Sequence, residues 1–342
     1  MLHTKNPHTK KKARPVDMPT AVWTGHDLLN GKPVETLTII FCTTGCYWGM
    51  GEGCTMCGYV NDSADSIPSD EDLLAQFTRA AGKSTPQTSL IKIFTSGSFF
   101  DEGEVTSLAR RRILDAIGGM GSVKKVVAET RPEFVTETRL RDTLAVLERY
   151  DISFEIAMGL ETSNDTIRKE CINKGFTFAE FVRASQTAAE MGVSTKAYLL
   201  LKPPFLSESM AVDDMLSSIS DTVPYASTIS LNLCNVQNGT LVEELHNHKD
   251  YRPPWLWSAV SILKKAKEMY PHITFMSDPV AAGSKRGPHN CGDCDKEVAQ
   301  VLRDFSLSQD VNILSDVDCH CYSLWEKVIE LEDYTYGSFL VK

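Results

Sequence analysis

The sequence predicts an α/β fold built on a parallel sheet, and three observations carry that expectation. Between Glu35 and Met269, short runs rich in Ile, Val, Leu and Thr alternate six times with amphipathic stretches of helical period, the pattern of strands joined by crossover helices. The turns after these runs hold the polar residues best suited to chemistry, as expected where sites gather at the carboxyl ends of parallel strands. The first run opens directly into a loop, Cys46–Tyr59, that packs three cysteines and four glycines.

Taken in order, the 342-residue chain begins with a basic arm carrying Lys5, Lys10, Lys11, Lys12 and Arg14, with no acid among the first fourteen residues. No apolar run follows that would make a signal peptide or a membrane span, so the expected location is the cytoplasm. The net charge of -10 excludes a surface that attracts nucleic acid as a whole and leaves that task to a local basic feature such as the arm. Residues 1–33 read as arm and lead-in, 34–278 as one barrel-sized domain, and 279–342 as a cysteine-rich extension.

The first unit is strand 35–41, the cysteine loop, and a helix capped by Ser69 that runs to about 81. The others pair strand 89–95 with helix 104–117, strand 124–129 with helix 138–149, strand 153–158 with helical segments up to 191, strand 195–201 with helix 208–218, and strand 228–233 with helix 255–269. Six strands are too few for a closed eight-stranded barrel. Residues 279–288, rich in Gly, Ala, Ser and Lys, read as a linker to the distal cysteines.

Ten cysteines in a long chain without a signal segment, seven of them in two tight clusters, point to thiolate ligation and not to disulfides. In the first cluster Cys54 and Cys57 share a tight turn, Cys46 opens the glycine loop that closes on them, and Cys42 at the strand end reads as a small buried hydrophobe. Three near thiolates suit a 4Fe–4S cluster with one open iron, the arrangement of radical S-adenosylmethionine (SAM) enzymes. The spacing departs from the usual Cys-x3-Cys-x2-Cys, which leaves two alternatives: a structural zinc loop, or Cys42 in place of Cys46. Cys291, Cys294, Cys319 and Cys321 supply four thiolates, complete ligation for a structural zinc, with a second iron–sulfur cluster as the alternative. Cys171 and Cys234 have no partner by spacing and read as core residues.

At the strand ends, Gly97 and Ser98 would let backbone approach a ligand and offer it a hydroxyl. Glu129 and Arg131 would orient one another or a carboxylate, and Glu161 is placed to accept two ribose hydroxyls. Lys196 and Lys202 bracket the fifth strand, where a lysine can face an anionic substrate. Ordinary turns, surface ion pairs and lysines reaching for water are the competing explanations.

Together, Thr44-Gly-Cys46-Tyr-Trp48, Gly53-Cys-Thr-Met-Cys-Gly-Tyr59, Thr95-Ser-Gly-Ser-Phe-Phe-Asp101, Glu129-Thr-Arg-Pro-Glu133, Gly159-Leu-Glu-Thr162, Asn173-Lys-Gly-Phe176 and the distal cysteine pairs resemble the radical SAM subunit family of archaeosine synthase. The match runs from about Trp23 to Trp325. The barrel alone is similar, more loosely, to the radical SAM domain of the Elongator catalytic subunit, which shares a Glu-Thr-Arg-Pro turn. The resemblance implies a partial (β/α)6 radical SAM barrel with a C-terminal cysteine-rich metal-binding extension. It also implies a 4Fe–4S cluster on Cys46, Cys54 and Cys57 and SAM held by Gly97, Ser98 and Glu161; Glu129, Arg131 and Lys202, from the strand ends, are read as further cofactor-binding residues.

The implied activity is that of a radical SAM lyase of tRNA modification. Its substrate would be a tRNA whose D-loop deazaguanine has received lysine from a partner transferase subunit, and cleavage of the lysine carbon–nitrogen bond would leave archaeosine. An electron donor is a further implied partner. The acidic net charge departs from what a tRNA enzyme leads one to expect, so the transferase is expected to supply most of the tRNA affinity. The alternatives are a radical SAM enzyme acting on another modified base or a peptide, and a non-catalytic zinc protein that binds RNA through its arm.

Overall fold

The computed structural model describes residues 15–335, so the basic arm lies outside the described residues. Its frame is one sheet of eight strands in sequential order: β1 (Ala21–Leu29), β2 (Lys32–Ile40), β3 (Thr88–Phe94), β4 (Lys125–Thr130), β5 (Ser153–Glu161), β6 (Ser194–Leu201), β7 (Thr228–Leu233) and β8 (Thr274–Met276). β1 runs antiparallel to β2, and every later pair is parallel. The sheet curls into a partial barrel whose six expected strands are β2 to β7.

Two strands are additions to the six expected, and β1 corrects the reading of residues 1–33 as arm and lead-in. Asn30 and Gly31 both have positive φ, 51° and 73°, which is what a two-residue hairpin turn demands. The turn sets an unbroken register from Leu29↔Lys32 to Ala21↔Ile40, so a boundary at residue 33 would cut a hairpin. β8 is three residues long, too short for an alternating pattern to show in the sequence.

The helices are α1 (Tyr47–Met50), α2 (Asp70–Ala81), α3 (Ser107–Gly118), α4 (Glu137–Leu147), α5 (Asp165–Ile167), α6 (Phe178–Glu190), α7 (Glu208–Thr222), α8 (Leu241–His248), α9 (Leu256–Met269), α10 (Asp295–Ser308) and α11 (Tyr322–Leu331). Most of the long ones start on a hydroxyl: Ser69, Thr106, Thr136, Thr177, Ser207 and Thr240 each accept from a first-turn amide. Such caps satisfy an amide that the helix itself cannot. α3 starts three residues later than expected, because Glu104 is drawn away to the neighbouring strand ends.

Side chains alternate between the two faces of the sheet. Ile91, Ile93, Val126, Ala128, Ile156, Met158, Ala197, Leu199, Ile229 and Leu231 join the helices in the main core. The intervening residues turn into the barrel. There Leu90, Val127 and Ala157, with Val34 and Tyr198, form a small apolar floor. Charges stand beside it: Asp27 of β1 pairs with Lys92 and lies 3.8 Å from the Lys196 ammonium, and Lys125 is 3.0 Å from Glu155. Among the described residues no helix is long and apolar enough to cross a membrane.

The cysteine-rich extension packs onto the barrel. α10 touches β8, β1 and β2, and so bridges the two edge strands of the sheet. The buried Lys202 ammonium donates to Glu208 Oε2 at 2.8 Å, and Glu208 Oε1 accepts from the Trp255 amide at 2.9 Å and the Ser258 hydroxyl at 2.5 Å. Glu332, beyond α11, accepts the Glu208 amide at 2.6 Å and stands 4.0 Å from the Lys202 ammonium. Removing one member of such a buried charge group leaves the others uncompensated, which typically costs about 3–5 kcal/mol. Glu208→Ala is therefore expected to lower unfolding free energy on that scale in denaturant titrations, and a loss within experimental error would show that the group is not holding the extension down.

Candidate active site at the carboxyl edge of the sheet

The cysteine loop is fastened at both ends. At the strand end Cys42 is buried, its amide donating to Gln76 Oε1 at 2.8 Å while Gln76 Nε2 donates to the Cys42 carbonyl at 2.9 Å. Cys46 then caps α1. Arg131 holds that helix: its Nε donates to Glu133 Oε1 at 2.5 Å, the Tyr47 hydroxyl donates to the same oxygen at 2.7 Å, and Arg131 Nη2 donates to the Lys174 carbonyl at 3.2 Å. The guanidinium lies 5.4 Å from the ring centres of Tyr47 and Phe176 and 6.0 Å from Trp48, close enough for cation–π attraction. Trp48 Nε1 donates to the Asn173 carbonyl at 2.7 Å.

At the far end, the Thr55 amide donates to the Ile172 carbonyl at 2.9 Å, Asn173 Nδ2 to the Gly53 carbonyl at 2.8 Å, and the Gly58 amide to Gln237 Oε1 at 2.7 Å. Burial pushes the Cys54 thiol up to about 12 and raises the Cys57 thiol as well, so metal would have to displace protons here.

Gly97, after β3, passes beneath Cys46. A methyl group built on it would lie 2.7 Å from Cys46 Cα, so only glycine permits that approach. Ser98 is fully buried, its hydroxyl 2.7 Å from the Thr130 hydroxyl and its amide donating to Glu104 Oε1 at 2.7 Å. Glu104 also accepts from the Thr43 hydroxyl at 2.6 Å, so it staples the ends of β2 and β3. Glu129, at the end of β4, is half-buried, with the Lys174 ammonium and the Glu161 and Glu104 carboxyls acting on its carboxyl. Glu161, at the end of β5 with φ 67°, accepts from the Lys174 ammonium at 2.7 Å. Burial opposes the Lys174 charge, but Glu161 beside it keeps its pKa raised.

The edge thus gathers Cys46, Cys54, Cys57, Gly97, Glu129, Arg131 and Glu161. Lys202 is turned away into the ion group with Glu208, and Lys196 into the barrel beside Asp27. Lys174, Glu104 and Gln237 were not foreseen as functional. Their partners are remote in sequence or irregularly spaced, so no periodic signal marks them.

The two cysteine sets differ in size. In the distal set the sulfurs of Cys291 and Cys319 are 3.7 Å apart, those of Cys294 and Cys321 3.7 Å, and those of Cys291 and Cys294 4.0 Å, and all four fall within 4.8 Å of one another. A zinc–sulfur bond of about 2.3 Å in a tetrahedron gives an edge of about 3.8 Å, so the four fit a single ion. Trp257 Nε1 points at the Cys321 sulfur at 3.2 Å and Asn290 Nδ2 at the Cys294 sulfur at 3.3 Å, the outer-shell donors a thiolate set needs. Cys46, Cys54 and Cys57 do not all fall within that spacing of one another.

A curled, mostly parallel sheet with a three-cysteine loop after its first parallel strand defines the class: an α/β partial barrel with a cysteine loop at its carboxyl edge. The solved archaeal Elp3 of Methanocaldococcus infernus has a similar fold, with a TM-score of 0.51 at 15% identity over 69% of this chain and 59% of that one. No protein-family model matches. The sequence is 54% identical over 331 residues to archaeosine synthase subunit beta of Methanosarcina acetivorans, covering 96% of this chain and 95% of that protein. It is 40% identical over 313 residues to archaeosine synthase subunit beta of Thermococcus kodakarensis, covering 90% and 96%. The chain belongs to the archaeosine synthase subunit beta family.

Burial pushes both Glu104 and Glu129 from the ordinary 4.5 up to about 7, against opposing contacts from Thr43 and Ser98 in the first case and Lys174 in the second. The folded protein then keeps these protons to higher pH than the unfolded chain does. Their contribution to stability is complete below pH 4.5 and falls away as pH rises through about 7. Metal-free protein should accordingly lose urea resistance between about pH 5 and pH 8, and Glu129→Gln should flatten that decline. An equal slope in the variant would rule out Glu129 as a source.

Proposed function

We propose that this chain is a radical SAM enzyme of tRNA modification, working in archaeosine biosynthesis with a partner transferase subunit. The observation that carries the reading is the doubly fastened loop presenting Cys46, Cys54 and Cys57, in a chain whose relatives are named archaeosine synthase subunit beta. These three thiols would hold a 4Fe–4S cluster. Bound together, the cluster and SAM supply one-electron cleavage of SAM and hence a radical that takes hydrogen from an unactivated carbon, which no side chain can do alone.

The chain's residues bind and orient. Gly97 makes room for Cys46, and its backbone would meet SAM beside that cysteine. Glu161, paired with the Lys174 ammonium at 2.7 Å, would accept ribose hydroxyls, and Glu129 would face a cationic group of SAM. Arg131 acts through α1, fixing Cys46 in place. Ser98 and Lys202 contribute from inside the protein, one by bridging strand ends and the other by anchoring the extension. The distal four thiols would hold a structural zinc.

In this reading the substrate is a tRNA carrying a lysine-modified deazaguanine, and the reaction is a lyase cleavage of the lysine carbon–nitrogen bond that leaves archaeosine. An electron donor completes the system, in the cytoplasm. With a net charge of -10, the chain gains its tRNA affinity mainly through the transferase.

Reduced enzyme incubated with SAM and lysine-modified tRNA should yield archaeosine on nucleoside analysis; SAM cleavage without that product would point to another modified base or a peptide. Cys46→Ala, Cys54→Ala and Cys57→Ala should each lose iron and SAM cleavage, while Cys42→Ala keeps its iron. The reverse result for Cys42 and Cys46 would reassign the ligand. After the first cluster is mutated away, metal analysis should find zinc; iron in its place would mean a second cluster.

A further inference from the structure

We propose that the distal tetrathiolate segment positions the cysteine loop, with Arg286 and Gln237 as the positioning residues that connect the two. The segment expected as a linker is hydrogen-bonded along its length. The Val236 amide donates to the Arg286 carbonyl at 2.8 Å, and Arg286 Nε donates back to the Val236 carbonyl at 3.2 Å, so the backbone and the side chain of Arg286 both hold Val236. Arg286 Nη2 reaches Asn238 Oδ1 and Glu243 Oε1, both at 2.8 Å. Glu243 in turn accepts the Gly239 amide at 2.7 Å. The loop after β7 is therefore shaped by a residue five positions before Cys291.

That same loop grips the cysteine loop. Gln237 Oε1 accepts the amide of Gly58, next to Cys57, at 2.7 Å; the Asn238 carbonyl accepts from Asn61 Nδ2 at 3.1 Å; and the Thr55 carbonyl accepts the Val242 amide at 3.3 Å. On the other side of Arg286, the turn into Cys291 is fixed by Arg252, whose Nη2 donates to the His289 carbonyl at 2.9 Å, and by the Asn290 amide donating to Asp295 Oδ1 at 2.8 Å. A metal on the four thiols ties this turn to the start of α11 and so restrains Arg286. The Arg131 clamp on α1 shares none of these contacts, which provides an internal control.

The inference rests on the reading of Cys57 as a cluster ligand for its consequence but not for its test. Amide hydrogen exchange is measured on the full chain, zinc-loaded and without iron. Arg286→Gln and Cys319→Ser should each speed exchange across residues 54–62 by about tenfold, the factor given by losing one or two ordinary hydrogen bonds, while 46–50 changes little. Arg286→Lys should give an intermediate effect. Because both changes act on one path, the double variant should be no faster than Cys319→Ser alone.

Unchanged exchange at 54–62 with loosening confined to 289–331 would overturn the proposal, as would uniform acceleration across the barrel. After reconstitution the variants should also shed iron faster than the parent chain. Altered exchange in a protein that never takes up iron would sink the cluster assignment and leave the positioning role standing.

Discussion

Arg131 is the contact on which the mouth of the barrel depends. A nearly buried guanidinium must find acceptors or pay a large desolvation cost. Here the Glu133 carboxylate, the Lys174 carbonyl and three aromatic faces answer that need. In doing so they draw α1 and the Asn173–Phe176 turn against the end of β4. Lysine would not substitute, since it offers neither a planar face for stacking nor a fork of fixed donors. With α1 held above and Gly97 close beneath, Cys46 has little freedom left.

The carboxyl groups of the edge sit in unlike surroundings. Glu104 and Glu129 favour their protons near neutral pH, whereas Glu161 has a full ammonium partner. A cationic ligand beside Glu129 would shift its equilibrium toward the carboxylate, so the charge of the site answers to its occupant. The distal thiols, by contrast, are already gathered at the spacing of one ion, with outer donors in place.

Local signals in the sequence were enough for β2 to β7, the Ser69 cap and the grouping of the four distal cysteines, because period, a hydroxyl cap and tight Cys turns are short-range features. The β1 hairpin also had a local mark in Asn30-Gly31, overshadowed by the basic arm before it. Lys202 misled for a physical reason: a lysine at a strand end resembles one that faces a cleft, and although its partner Glu208 is only six positions on, the residues that bury the pair, Trp255, Ser258 and Glu332, are remote in the chain. Glu104 and Lys174 were illegible in the same way. Their roles exist only after the strand ends have been brought together.

The hairpin also changes what counts as the smallest complete barrel. Asp27 reaches into the interior from β1 and is the acid nearest the buried Lys196. Burial already depresses the pKa of Lys196, and Asp27 is the chief influence restoring it. A polypeptide trimmed back to the first parallel strand would keep all six repeating units and yet leave Lys92 and Lys196 inside the barrel without that counter-ion. The antiparallel strand is thus an electrical component of the barrel as much as a covering for its edge.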